Sequence, residues 1–436
     1  MKKQSSSLLD KLFIGTLLVV FGGVILHAPL TVGLQTLFPD AALGIKAWKE
    51  VVLVIASLLL MVILTVRNKW SILKSPIFYV IAVYAVLHLL LIPFFATGTA
   101  SVVSGLMIDL RYILFFVLVY AAARMYPQFS KQFIWVGVAG ALVVMIFAIL
   151  QLTVLPYDIL KHIGYGVSTI MPFMTVDENM DFIRINSTLR GPNPLGAYAV
   201  IVLAVAAAFL LTSKRALKNR AGVIIAIVSV GGAMALWASY SRSALVAGVV
   251  ALAIIALVTV ARRLPRWVWI TLCVVALGLA GGLYAARDTH FISHVILHED
   301  PNEGNDTNSN DGHVESLVDG TDRMMSQPIG GGIGSTGSAS LLGDNPLIIE
   351  NQYLYIAHEV GWLGIILFGV LFVMLLKGLW KKRKNWLALG IFASGIGLAL
   401  IGLLLPVWAD DTVSIVWWGL AALALAGSNE KQARKK

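Results

Sequence analysis

Long apolar runs recur from one end of this chain to the other, and they limit what it can fold into. About 20 consecutive apolar residues are enough for a helix to cross the hydrocarbon core of a bilayer. Twelve such spans are read, at 12–33, 46–66, 76–96, 101–124, 131–154, 192–212, 221–239, 243–261, 267–285, 351–376, 385–405 and 407–427. Only 13% of the residues are charged, against about 25% in a soluble domain. Mean hydropathy is +0.84. The expected class is an all-α polytopic membrane protein, with one integral membrane domain covering 1–436.

The formal charge of +10 would suit a nucleic-acid partner, but its distribution points to membrane lipids instead. With the N-terminus placed in the cytoplasm, every inner segment is basic: Lys2, Lys3 and Lys11; Arg67, Lys69 and Lys74; Arg124 and Lys131; Lys214 to Arg220; Arg262, Arg263 and Arg266; Lys377 to Lys384; and the tail from Lys431. The outer side keeps Lys46, Lys49, Arg111, Lys161, Arg184, Arg190, Arg242, Arg287 and Arg323. That asymmetry is the positive-inside pattern; it fits twelve spans with both termini cytoplasmic. The start, MKKQSSSLLDKLF, is basic and has no convincing small-residue cleavage site, so the first span is read as retained. The single cysteine, Cys273, sits in an apolar run and is read as a small core residue. The histidines show no metal-ligand spacing, and no cofactor is expected.

Two loops exceed the usual length and both fall outside, at 155–191 and 286–350; such loops are functional or disordered. HEDPNEGNDTNSNDG (298–312) is acidic and poor in apolar residues, so a mobile segment is expected. Its DTNSNDG resembles a calcium loop. The glycine comes one place late, however, and the twelfth position from Asp306 is Leu317 rather than glutamate, so a solvated loop is the reading. The acidic residues of 298–322 are expected to fold outward as a lid or glycan-side wall.

The polar residues that can carry chemistry lie in three stretches: TLRGPNPLG (188–196), SYSRSAL (239–245), and the run from Thr321 through the glycines Gly330–Gly334 to Glu350, Asn351 and Tyr353. In the twelve-span topology, the spans at 192–212, 243–261 and 351–376 start outside. A helix start offers free N–H groups and partial positive charge, which suit phosphate. Pro192 fits the first turn, where a missing N–H costs nothing. Arg190 and Arg242 stand at two of these starts, and arginine binds phosphate oxygens bidentately; the plainer alternative is that both snorkel to headgroups. Arg111 lies inside a span two residues after Asp109. The two do not face each other on a helix, so each needs another partner; Arg111 is read either as a ligand contact or as a structural pair. Glu350 is read as a general base for an acceptor hydroxyl or, alternatively, as a helix cap. Asn351 would orient it or bind glycan. His358 and Glu359 are read as facing the bundle core.

Taken in order, the proline-asparagine-glycine stretch, SxSRSAL and PIGGGIG followed by NxYLxxxxEVGWLG resemble the O-antigen ligase and polymerase superfamily of bacterial membrane glycosyltransferases. The three motifs span roughly 184–364. The resemblance implies an undecaprenyl-diphosphate-linked glycan as donor and a glycan or lipid-glycan as acceptor, with neither metal nor nucleotide sugar. It implies Arg190 and Arg242 as holders of the diphosphate, and segment 350–354 as the acceptor-activating element. Arg184, Asn193, Asn351, Tyr353 and Arg111 are the expected substrate contacts. Ligases of this superfamily commonly place histidine directly before the asparagine; here that place is Glu350, which leaves room for a polymerase or for a different acceptor. The location implied is the bacterial inner membrane, with the site facing the periplasm or exterior. The rival class is a transporter or flippase of lipid-linked glycans. Such proteins show paired repeats and broken helices near the midplane, and no such repeat is visible in this chain.

Overall fold

The computed structural model describes residues 7–95, 97–176, 179–213, 219–261 and 309–427, with isolated positions between 265 and 289. It is all-helical, 77% helix and 2% strand. The elements are α1 (Leu8–Gly23), α2 (His27–Leu37), α3 (Ala42–Lys46), α4 (Trp48–Val66), α5 (Pro76–Leu91), α6 (Thr99–Met125), α7 (Phe129–Thr153), β1 (Met174–Val176), β2 (Asn179–Arg184), α8 (Pro192–Thr212), α9 (Asn219–Ala238), α10 (Arg242–Thr259), α11 (Ser309–Ser326), α12 (Gly337–Ser340), α13 (Gln352–Lys381), α14 (Trp386–Ile401) and α15 (Asp411–Ala426). Among the described residues nine helical segments are long and apolar enough to cross a membrane; α14 and α15 are apolar but shorter. The predicted span 267–285, with Cys273, lies outside the described residues, as do the basic clusters at 214–218 and 262–266 and the tail from 428. So does the acidic segment 298–308.

Local chemistry explains the breaks. α1 and α2 form one 30-residue segment interrupted by a 3-10 turn, Val24–Leu26. Pro29 follows it: proline has no N–H to give and its ring crowds the carbonyl four residues back, so the helix tightens there. In α13 the break is at Gly361, with φ 69° and ψ −169°, a backbone region that glycine occupies without penalty. The break frees two backbone groups, and the glycine-rich turn takes both. Trp362 N–H donates to Pro328 O at 2.9 Å, and Gly331 N–H donates to His358 O at 2.5 Å. A β-carbon on Gly361 would lie 2.4 Å from Pro328 O, so the turn and the kinked helix are built for each other.

α15 is the centre of the bundle. It is apolar all round, as a helix buried on every side must be: Trp417, Trp418, Val413 and Ala421 are completely covered. α6 packs along one side of it, where Tyr112 meets Trp418 at 5.0 Å between ring centroids; α14 and α8 close another. At 16 residues and 1.5 Å per residue, α15 is about 24 Å long, short of the roughly 30 Å hydrocarbon core. The irregular segment 402–410 precedes α15. Buried backbone polar groups need partners, and other parts of the protein supply them here. Gln352 N–H donates to Gly402 O at 2.8 Å, Asn351 Nδ2 donates to Leu403 O at 2.8 Å, and Trp408 N–H donates to Gln352 Oε1 at 2.7 Å.

Both long loops contain structure. Region 155–191 holds the antiparallel hairpin β1–β2, with Met174 opposite Arg184. In region 286–350, α11 lies along α13 rather than standing away from it as a lid. Trp362 Nε1 donates to Met324 O at 2.6 Å, and Gly320 sits against Leu354.

Candidate active site

Two of the three motif stretches meet at the starts of α8 and α10. Arg184, at the end of β2, donates from Nε to Ser239 O at 2.8 Å and from a terminal nitrogen to Asn193 Oδ1 at 2.7 Å. Ile185 N–H donates to Ala238 O at 3.3 Å. The helices close on each other at Gly196, where a β-carbon would lie 2.8 Å from both Ala244 Cβ and Ser239 Oγ. Arg190 and Arg242 therefore stand at adjacent helix starts. Arg184 and Asn193 form the brace between the two stretches.

The helix starts at this end of the bundle are of two kinds. α13 is capped by Asn351, whose Oδ1 accepts from Tyr353 N at 2.8 Å and Leu354 N at 3.0 Å. α15 is capped by Asp410, which accepts from Val413 N at 3.0 Å. α8 starts at Gly191 and α10 at Ser241, and neither has a side-chain cap bond. Pro192 and Pro194 have no N–H, so the α8 start offers that of Asn193. Strained backbone flanks both starts: Ser187 has φ 51° and Tyr240 φ 45°, a left-handed conformation costing about 1–2 kcal/mol for a residue with a β-carbon. Ser187 is held there by Gln151 Oε1, which accepts its N–H at 2.8 Å, and by its own Oγ donating to Val144 O at 2.8 Å.

The segment 402–410 joins this wall to the third motif. On one side it is bonded to Asn351 and Gln352. On the other, Asp410 approaches Arg190 Nε at 3.9 Å, with the Arg190 side chain 57% exposed. Burial raises the phenol pKa of Tyr240, beside Arg242. Glu350 is half-buried one residue before the cap, and its N–H donates to Ser316 Oγ of α11 at 3.3 Å. The capping bonds at this start are thus those of Asn351. Tyr353 turns into the bundle and donates to Ala399 O at 2.8 Å.

Arg111 lies in a buried ionic cluster that joins α4, α6 and α15. It pairs with Asp411, reaches Glu50 at 3.6 Å and donates to Ala409 O. Lys49 lies 2.9 Å from Asp411 and 3.2 Å from Glu50, and His27 Nε2 lies 3.0 Å from Asp411. Asp109 is turned elsewhere, 3.7 Å from His88. Deeper still, Glu359 accepts from Gly334 N at 2.7 Å and Thr336 N at 3.3 Å; it fastens the glycine-rich turn to α13. Sequence reasoning missed Lys49, Glu50, Gln352, Asp410 and Asp411. The available signal was the pair KE at the start of one apolar run and DD at the start of another.

Among the described residues no cluster of three or more His, Cys, Asp or Glu could hold a metal ion. What the site offers is positive charge at two uncapped helix starts, with the Asp410 carboxylate 3.9 Å from Arg190. That set suits the stabilisation of a developing polyanion and the positioning of a hydroxyl.

No curated protein matches the chain. Residues 227–369 match the family model described as O-antigen ligase, a segment that holds Arg242, the glycine-rich turn and Glu350–Tyr353 and leaves Arg190 ahead of it.

Proposed function

We propose that the protein moves a glycan from undecaprenyl diphosphate to an acceptor hydroxyl, as a ligase or polymerase of surface polysaccharide. The observation that carries the reading is the pair of adjacent, uncapped helix starts bearing Arg190 and Arg242. In this reading the anomeric carbon–oxygen bond to the diphosphate breaks. A bond from the acceptor oxygen to the same carbon forms, and the hydroxyl proton passes to the Glu350 carboxylate. The diphosphate leaves with the bonding pair. Arg190, Arg242, the N–H of Asn193 and the first N–H groups of α10 stabilise its growing charge. Asn351 and Gln352 hold the Glu350 segment against 402–410. Arg184 and Asn193 hold the arginine wall in shape, and Arg111 anchors Ala409 and Asp411 beneath it.

The topology belonging to this reading is one membrane domain over 1–436 with twelve spans and both termini cytoplasmic. Loops 155–191 and 286–350 and the site then face the periplasm or exterior of a bacterial inner membrane. The basic clusters at 67–74, 124–131 and 377–384 support that orientation. No metal enters the scheme, because arginines take the place of a cation at the diphosphate.

The test is purified protein incubated with polyprenyl-diphosphate-linked oligosaccharide in EDTA. The expected result is release of polyprenyl diphosphate with glycan extension, or with transfer once a second acceptor is supplied. Lipid-linked glycan carried intact across a vesicle membrane, with no glycosidic bond made, would refute the reading in favour of a flippase.

A further inference from the structure

Beside the Glu350 segment lies a polar cavity that the transfer scheme does not use. Its volume is about 510 Å³, within the range of small-molecule sites. Its walls are the residues before α6 and its first turn, the end of α11, the glycine-rich turn, the second turn of α13 and the segment 340–347. That last segment runs directly into Glu350.

Four of its lining groups have buried polar atoms with no hydrogen-bond partner among the described residues: Thr97 Oγ1, Ser101 Oγ, Gln327 Oε1 and His358 Nδ1. Ser101 is 2% exposed and His358 4%. Buried polar atoms are rarely left unpaired, and these four belong to residues on the walls of one cavity. Glycines let the backbone approach these groups closely. A β-carbon on Gly331 would lie 2.7 Å from His358 Cε1, and one on Gly343 would lie 3.0 Å from Ser101 Oγ.

The chemistry of the lining selects the partner. Two hydroxyls, an amide oxygen and an imidazole nitrogen mix donors with acceptors. Two charged side chains stand on the wall, Arg323, paired with Asp319 at 2.8 Å, and Asp344, so the lining has no net charge to select an anion. It has no carboxylate cluster for a metal ion. Phe95 supplies an aromatic face, and a sugar ring presents hydroxyls at its edge and C–H groups on its face.

We infer that this cavity is a saccharide subsite, binding a neutral sugar ring of the acceptor glycan while its hydroxyl is presented at Glu350. The acceptor role rests on the proposed transfer reaction; the binding of sugar does not.

The experiment uses the full-length protein in detergent micelles. The probe is free oligosaccharide released by mild acid from the polyprenyl-diphosphate-linked glycans of the cells that make the protein, with binding followed by saturation-transfer NMR and calorimetry. Saturable binding is expected. Ser101→Ala and Gln327→Leu should each weaken it about 2–12-fold, the worth of one hydrogen bond, and raise the acceptor KM by the same factor with kcat held. Gly343→Leu should fill the space and abolish binding. Thermal unfolding identifies any variant that fails to fold, and Ser101→Ala removes only one hydroxyl. Absence of saturable binding in the wild type overturns the proposal, as does equal binding by all three variants. Binding that responds to the variants in a protein that makes no glycosidic bond keeps the subsite and removes the transfer reading. Transfer without such binding keeps the reaction and removes the subsite.

Discussion

Replacing Asp411 by asparagine should destabilise the protein far more than a one-atom change suggests. Asp411 is the shared anion of Arg111, Lys49 and His27. The Arg111 and Lys49 side chains are each 4% exposed and that of Asp411 is 20% exposed. Removing one partner from a buried ion pair costs about 3–5 kcal/mol, because the remaining charge has lost its compensation. Glu50 stays within 3.2 Å of Lys49 and 3.6 Å of Arg111, so the loss is partial and the lower end, about 3 kcal/mol, is expected. A domain of 150–250 residues shifts its Tm by about 2–4 °C per kcal/mol. This longer chain should shift less per kcal/mol, so Asp411→Asn should lower its melting temperature by roughly 5–10 °C. The assay is size-exclusion chromatography of detergent-solubilised protein after stepwise heating. Lys49→Met in the Asp411→Asn background should recover part of the loss by removing one uncompensated cation. A shift below about 1 °C for Asp411→Asn, or a further fall in the double variant, would refute the view that this cluster is a mutually dependent brace.

Glu350→Gln keeps size and hydrogen bonding but cannot take up a proton. Turnover should fall about 10²–10⁴-fold with lipid-donor binding unchanged, and near-normal turnover would remove Glu350 as the base. Lys382, just past α13, donates to Leu425 O and Gly427 O at 2.5 Å each and so closes the end of α15. Burial, helped by the charge of Arg124, lowers its pKa below the usual 10.5. A lysine held below its unfolded value leaves the unfolded state binding more protons, so its contribution to stability grows as pH rises through that window. Melting temperatures from about pH 8 to about pH 10.5 should therefore rise in the wild type relative to Lys382→Met. A difference that is flat or falling with pH would contradict the sign.

Eleven of the twelve apolar runs read from the sequence coincide with helices, and the ninth lies outside the described residues. The meeting of TLRGPNPLG with SYSRSAL was legible too, because helix starts rich in glycine, serine and proline at one end of a bundle leave few other places to go. The ionic brace was not. Lys49, Glu50 and Asp411 each sit at the edge of an apolar run, where a charge ordinarily reaches to solvent, and only three-dimensional packing shows that they turn inward to one another. The dip of 402–410 was hidden for a related reason: LLLPVWA is apolar enough to continue a span, and its irregular backbone depends on Asn351 and Gln352, fifty residues away in sequence. The kink at Gly361 was also invisible, since a glycine in an apolar helix is common and the groups that complete it come from Pro328 and Gly331.

Arg190 and Arg242 carry the proposed chemistry. The direct measurement is turnover of polyprenyl-diphosphate-linked glycan by purified Arg190→Ala and Arg242→Ala, with expression and thermal stability checked against wild type. If the two side chains stabilise the leaving diphosphate, each variant should lose about 10²–10³-fold, the usual loss when one transition-state donor is removed. Turnover within about twofold of wild type in both variants, well short of that 10²–10³-fold loss, would contradict the site.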